Sequence, residues 1–276
     1  MAGLKPRREA FFLPGSVAGG RFCLLTHAAD SVGTLIFVHP FAEEMNKSRR
    51  MVALAAEAFA AKGWSTLQID LTGCGDSAGD FGDASWDLWI NDCRDAYAWV
   101  NTHLDGAVAL WGLRSGALVL SDWLRLGGVA APLLLWQPVG NGRQHLTQFL
   151  RVKAAGEMLA DADAKAAMEA IRASLKAGDA VDVAGYRLSS ALARGMESST
   201  LGLQNEYAAP VVALELGPSD RQEVSPALRV LIDRWRAAGV RCRAQAVVGP
   251  AFWQTQEIEL CPALIEASLL ALEEFA

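Results

Sequence analysis

The sequence predicts an α/β protein: a mostly parallel sheet with helices on both faces, interrupted once by a helical insertion. From residue 34 onward, short β-rich runs alternate with windows of helical period, which is how a sheet built from strand–helix units reads in sequence. The runs are almost wholly apolar, as strands covered on both faces must be. The alternation stops over residues 141–206, which are helix-rich, Ala-rich and mixed in charge, and then resumes.

The elements follow in order. Glu9–Leu13 and Arg21–Thr26, joined through Pro14-Gly15 and Gly19-Gly20, read as an antiparallel hairpin on the sheet edge. Buried strands are expected at Thr34–Val38, Ser65–Ile69, Ala107–Trp111, Leu133–Trp136, Val211–Leu216 and Arg241–Val248. Ser48–Lys62 places Met51, Leu54, Ala55, Ala58 and Phe59 on one helical stripe, which Gly63 stops. Trp86, Trp89, Ile90, Cys93, Tyr97 and Val100 form a second stripe, read as core packing. Ser115–Leu126, Pro226–Ala238 and Gln256–Phe275 supply three more helices. The insertion reads as helices over Gln144–Leu159, Asp163–Lys176 and Tyr186–Glu197. It is expected to cap the carboxyl ends of the strands, where open α/β sheets bind ligands. The domain reading is therefore a core of residues 1–140 and 207–276 with a cap of residues 141–206.

Composition bounds the function. At 276 residues and 52% hydrophobic, the chain buries about three quarters of its unfolded surface and needs no disulfide or structural metal. A net charge of −6 and no long Lys/Arg stripe exclude non-specific nucleic-acid binding. Cys23, Cys74, Cys93, Cys242 and Cys261 are odd in number and form no C-x-x-C pair, so reduced thiols in a cytoplasmic protein are expected. Lys5, Arg7 and Arg8 precede an apolar stretch broken by Pro14, Gly15, Gly19 and Gly20, which fits neither a signal peptide nor a membrane span.

Gly112-Leu-Arg-Ser-Gly116 follows an expected strand and opens an expected helix, the setting of the G-x-S-x-G nucleophile elbow. Counted from the glycines, Arg114 stands at the nucleophile position and Ser115 one place later, where the backbone N–H normally helps hold an oxyanion. Three further segments fit the same plan: His39-Pro-Phe-Ala-Glu-Glu44 as the oxyanion loop, Asp70-Leu-Thr-Gly-Cys-Gly-Asp-Ser77 as a D-x-x-G-x-G-x-S turn, and Leu216-Gly-Pro-Ser-Asp220 carrying the acid. On these motifs the chain from about residue 20 to 275 resembles the α/β-hydrolase superfamily. Val38–Arg49, Asp70–Ser77, Trp111–Arg114 and Gly249-Pro-Ala-Phe-Trp-Gln-Thr255 resemble, more narrowly, the exosortase A system-associated hydrolases of the second type. That resemblance implies a bacterial cytoplasmic protein encoded with exopolysaccharide and protein-sorting genes, and no particular reaction.

A Ser-His-Asp mechanism needs hydroxyl, acid and imidazole in that chain order. Asp220 supplies the acid, but the four histidines, His27, His39, His103 and His145, all precede it. Ala251 stands about where many relatives have the histidine, so two of the three roles are vacant. The candidate catalytic residues are Arg114, Ser115, Asp220 and His39, with His39 as the nearest base for Ser115 or, alternatively, a structural ring bonded to loop backbone. His145 is expected on the cap surface, and a Cys74 thiol nucleophile lacks a positioned base. The candidate ligand-binding residues are Phe41, Glu43, Arg114 and Trp253.

Two readings of Arg114 stand side by side. In one, its guanidinium and the N–H groups of Phe41 and Ser115 bind the carboxylate, phosphate or sulfate of a small anionic acyl or saccharide ligand. In the other, it forms an internal ion pair with Asp220 or Glu43. Lys47, Arg49 and Arg50, expected in a helix's first turn, oppose the helix dipole and point to an acidic ligand, to Glu43 and Glu44, or to solvent. Ester hydrolysis through Ser115 and a scaffold for a partner hydrolase of the same gene cluster are the competing functions. No P-loop, H-E-x-x-H or complete dinucleotide fingerprint is present, so neither a metal nor a cofactor is expected.

Overall fold

The computed structural model describes residues 5–15, 19–127, 129–158, 164–218 and 223–275, with only the backbone at residues 155–158 and 164. Its main sheet has eight strands: β1 (Arg8–Leu13), β2 (Arg21–Thr26), β3 (Gly33–Val38), β4 (Trp64–Ile69), β5 (Ala107–Leu113), β6 (Leu133–Trp136), β9 (Val211–Gly217) and β10 (Cys242–Val248). Their spatial order is β1-β2-β4-β3-β5-β6-β9-β10. The edge hairpin pairs as expected, Arg8 opposite Thr26, and β2 runs antiparallel to β4 while the remaining pairs are parallel.

Strand alternation sorts the core onto two faces. Leu35, Phe37, Trp111, Leu134, Trp136, Val212 and Leu214 meet helices α1 (Glu43–Ala60) and α8 (Pro262–Leu272) on one side. Ile36, Val38, Leu110, Leu135, Val211 and Ala213 meet α2 (Trp86–His103), α3 (Gly116–Gly127) and α7 (Pro226–Ala237) on the other. The tryptophan stripe of α2 is core: Trp89 and Cys93 are each 1% exposed. All five cysteines are free, and four are buried as small apolar side chains. No helix among the described residues is long and apolar enough to cross a membrane.

Between β6 and β9 lie α4 (Gly142–Met158), α5 (Ala164–Ala177), the small hairpin β7 (Val181–Val183) and β8 (Tyr186–Leu188), and α6 (Ser190–Ser198). Leu146, Leu150, Ile171, Leu192 and Met196 join the core on the α2 side. The expected helix over Tyr186–Glu197 is corrected here. Ala184 and Gly185 both have positive φ, 49° and 87°, which turns the chain into a hairpin, and the helix starts only after Ser189 accepts a capping bond from Leu192 N–H.

Two other boundaries move. The first helix begins at Glu43 rather than Ser48, so Glu43 and Glu44 occupy its first turn in accord with the dipole, and the Lys47, Arg49 and Arg50 cluster lies one turn further in. The last helix begins at Pro262, not Gln256, because proline takes the first helical position where its missing N–H costs nothing.

The chain steps from β3 outward to β4 on one side and returns to β5 on the other. Order therefore reverses at β3, and a crevice opens beyond the carboxyl ends of β3 and β5. The loop after β3 and the turn after β5 meet there.

Candidate functional site

The elbow is built by two glycines. A Cβ on Gly116 would stand 2.2 Å from Val38 O, and one on Gly112 2.9 Å from Ala117 N, so only bare backbone lets α3 approach β3 and β5 this closely. Arg114, at the apex between them, has φ 54°, a left-handed conformation that costs a side-chain-bearing residue about 1–3 kcal/mol. Its N–H donates to Trp136 O at 2.9 Å, which pins the apex to the end of β6.

The guanidinium forks onto one carboxylate. Arg114 Nη2 donates to Glu44 Oε1 at 3.0 Å, and Nε donates to both Oε1 and Oε2, at 3.2 and 3.3 Å. From below, Trp253 stacks on the guanidinium at 5.3 Å. The internal pair therefore exists but its partner is Glu44, not Glu43; Asp220 lies outside the described residues. Glu43 turns away and accepts from Tyr186 Oη at 2.9 Å, tying the β7–β8 hairpin to the start of α1.

A cavity of about 210 Å³ opens on this pair, lined by Phe41, Ala42, Glu43, Glu44, Arg114, His145, Gln148, Phe149, Val152 and Gln254. Phe41 and Phe149 meet edge to face at 4.8 Å and form its apolar wall. Of the four ligand-binding candidates, Phe41, Glu43 and Arg114 line the cavity; Trp253 is buried behind Arg114. The sequence reading missed Glu44, Gln148, Phe149, Val152 and Gln254.

His145 is corrected from surface to interior. Only 7% exposed, it lines the cavity with Nε2 4.0 Å from Glu44 Oε2 and without a hydrogen-bond partner. Burial, and then the nearby Arg114 charge, hold its pKa down to about 3, so the ring is neutral. Burial also raises the Glu44 carboxyl above its ordinary range against the pull of Arg114.

Among the described residues no hydrogen bond joins Ser115 to His39. His39 Nε2 accepts from Leu71 N–H at 3.0 Å, so Nδ1 carries the proton and donates to Pro40 O at 2.8 Å; both ring nitrogens serve loop backbone. Burial pushes this ring's pKa down as well. Ser115 is 1% exposed, and its hydroxyl has no partner among the described residues. Cys74 is buried too, and burial pushes its thiol well above the ordinary range, the opposite of an activated nucleophile. The basic cluster is partly spoken for: Arg49 pairs with Asp70 at 3.1 Å, and Lys47 donates to Gln254 O at 3.4 Å.

Two backbone donors beside the Arg114 turn are left over. The N–H groups of Phe41 and Ser115 donate to no backbone or side-chain acceptor among the described residues. Ala42, between Phe41 and the helix, sits at φ 50° and ψ −127°, and α1 has no side-chain cap there.

No protein-family model matches the chain, and no curated protein sequence does. Solved structures do match. Est1E from Butyrivibrio proteoclasticus with ferulic acid bound superposes with a TM-score of 0.69 at 17% identity, over 96% of this chain and 99% of that one. The α/β hydrolase GrgF from Penicillium gives 0.58 at 17% identity, over 99% of each chain. A lidless α/β serine hydrolase from Xanthomonas campestris gives 0.56 at 16% identity, over 97% and 93%. The chain has the α/β-hydrolase fold.

Proposed function

We propose that this chain is an α/β-hydrolase-fold binding protein whose elbow has exchanged a nucleophile for an anion receptor. The ligand is a small acyl or saccharide molecule with an apolar body and one anionic group. The observation that carries this reading is Arg114 itself. A guanidinium stands at the apex of the elbow, at the floor of a cavity walled by Phe41, Phe149 and Val152. Free N–H groups in the adjoining loops add to its donors, and a planar fork suits a carboxylate. The ferulic acid bound by Est1E, a structure of the same fold, is a ligand of this chemical kind.

In this reading residues 141–206 are the cap of a core formed by 1–140 and 207–276, with α4 supplying His145, Gln148, Phe149 and Val152 to the roof. The degenerate triad follows from Arg114 at the apex and the lack of a histidine after Asp220. The motif resemblance supports a bacterial, cytoplasmic setting beside exopolysaccharide and exosortase genes, where a partner hydrolase of the same cluster would process or supply the ligand. Ester hydrolysis through Ser115 gains no support, since among the described residues both nitrogens of its nearest candidate base, His39, are taken by loop backbone.

The test is calorimetric titration with ferulate and its neutral methyl ester. The wild-type protein binds the acid, discriminates against the ester by at least about tenfold, about 1.4 kcal/mol, and loses the discrimination in Arg114→Gln. Equal binding of acid and ester contradicts the reading.

A further inference from the structure

Arg114 is already occupied. Three hydrogen bonds to Glu44 fill the face of the guanidinium that an incoming anion needs. The same carboxylate has a second partner within reach, His145 Nε2 at 4.0 Å, sheltered from solvent and bonded to nothing. Both line the cavity.

Resting on the anion reading above, we propose that Glu44 is the specificity-determining residue of this site. It holds Arg114 until a monoanionic ligand headgroup replaces it, then turns to His145, and the Glu44–His145 pair takes up one proton. In the exchange, the hydrogen bonds from Arg114 Nε and Nη2 to Glu44 break and re-form to the ligand carboxylate. A solvent proton adds to the pair, and Nε2–H of His145 donates to Glu44 Oε2.

The charge count requires the proton. The charged and titratable groups facing Glu44 among the described residues are Arg114 from the elbow and His145 from α4, with Glu43 and Lys47 on its own helix. Glu43 is engaged by Tyr186 and Lys47 by the carbonyl of Gln254. Both of those partners are neutral, so Glu43 and Lys47 keep opposite charges that offset one another, and the resting cluster carries no net charge beside a neutral ring. A second carboxylate in this apolar enclosure leaves two anions on one guanidinium, an arrangement that raises the proton affinity of the anions and of any imidazole beside them. Burial has already raised Glu44, and what holds His145 neutral is burial together with the Arg114 charge that a ligand anion would offset. A dianion such as a phosphate monoester would need two protons in place of one, so the site selects monoanions.

The experiment is calorimetric titration of ferulate at pH 6, 7 and 8, repeated at pH 7 in buffers of different ionisation enthalpy, on wild type and Glu44→Gln. For wild type the expected result is uptake of about one proton and an affinity that falls about tenfold per pH unit. For Glu44→Gln, whose amide keeps the shape but not the charge, ferulate binds more tightly at pH 8, with no proton uptake and a flat pH profile. Wild-type binding without proton uptake overturns the proposal, and this arm needs no variant to fold. Weaker ferulate binding by a folded Glu44→Gln also overturns it, since Glu44 would then be a prop for Arg114. In both cases the preference for ferulate over its methyl ester persists and the anion reading stands. Ferulate binding to neither protein overturns both.

Discussion

Arg114 stands at the apex of a tight strand-to-helix turn and presents a cation to the cavity. Its left-handed backbone and the two flanking glycines keep the shape of the turn, while the side chain meets Glu44 and Trp253. Ser115, one residue later, is buried at the start of α3, and among the described residues both nitrogens of the His39 ring are held by backbone. A fluorophosphonate probe, read by mass spectrometry of the intact and digested protein, should therefore leave Ser115 unmodified; a stoichiometric adduct there would show that an activating base had been missed. The residues legible in advance were those whose role follows from a motif, Gly112, Arg114 and Gly116. Glu44 was not legible because Glu43 and Glu44 are chemically identical neighbours. Which one faces Arg114 depends on where the helix begins, and one residue along a helix rotates the side chain by about 100°.

At the scale of elements, the strands and main helices were legible because their signal is periodic burial, and the misses fall where the chain turns without its usual residues. The first helix lacks a Ser, Thr, Asp or Asn cap, since Ala42 takes that place in a conformation alanine rarely adopts. The β7–β8 hairpin turns on Ala184-Gly185 where Asn-Gly or Asp-Gly would announce it. Its Tyr186 then bonds Glu43, so two cryptic turns meet at one edge of the cavity. The inserted segment is seated by close approach: a Cβ on Gly195 of α6 would fall 2.1 Å from Trp86 Cβ on α2. Gly195→Ala should lower stability by about 1–3 kcal/mol through overpacking. Hydrogen exchange should rise in α4 to α6 before it rises in the sheet. Uniform loss of protection across the molecule would show that the insertion does not open independently of the core.

For the whole molecule, the reversal of strand order at β3 decides where the site lies, and it brings together residues more than 100 positions apart in sequence, Glu44 and His145 among them. The sequence predicted the α/β class but no strand order, and the burial of His145 was not legible either, because α4 carries charged and apolar residues in a weakly amphipathic pattern and only its docking onto Phe41 reveals which face is inside. This burial has a consequence for global stability. With its folded pKa near 3 against an ordinary 6.5, His145 binds fewer protons folded than unfolded across that interval. Stability is therefore lost as pH falls from 6.5 toward 3, by up to about 1.4 kcal/mol per unit. Glu44, raised instead, has the opposite sign and loses stability as pH rises through its window above 4.5. Urea unfolding at pH 7 and pH 4.5 should show a smaller acid-side loss in His145→Gln than in wild type; an unchanged loss would mean the ring is not buried neutral. The most direct measurement for the central claim is a crystal soaked with 4-bromocinnamate and read from the bromine anomalous signal. Bromine against the wall formed by Phe41 and Phe149, with the carboxylate on the guanidinium of Arg114, is the predicted result. A ligand seated in the cavity with its carboxylate turned to solvent and Glu44 still on Arg114 would contradict it.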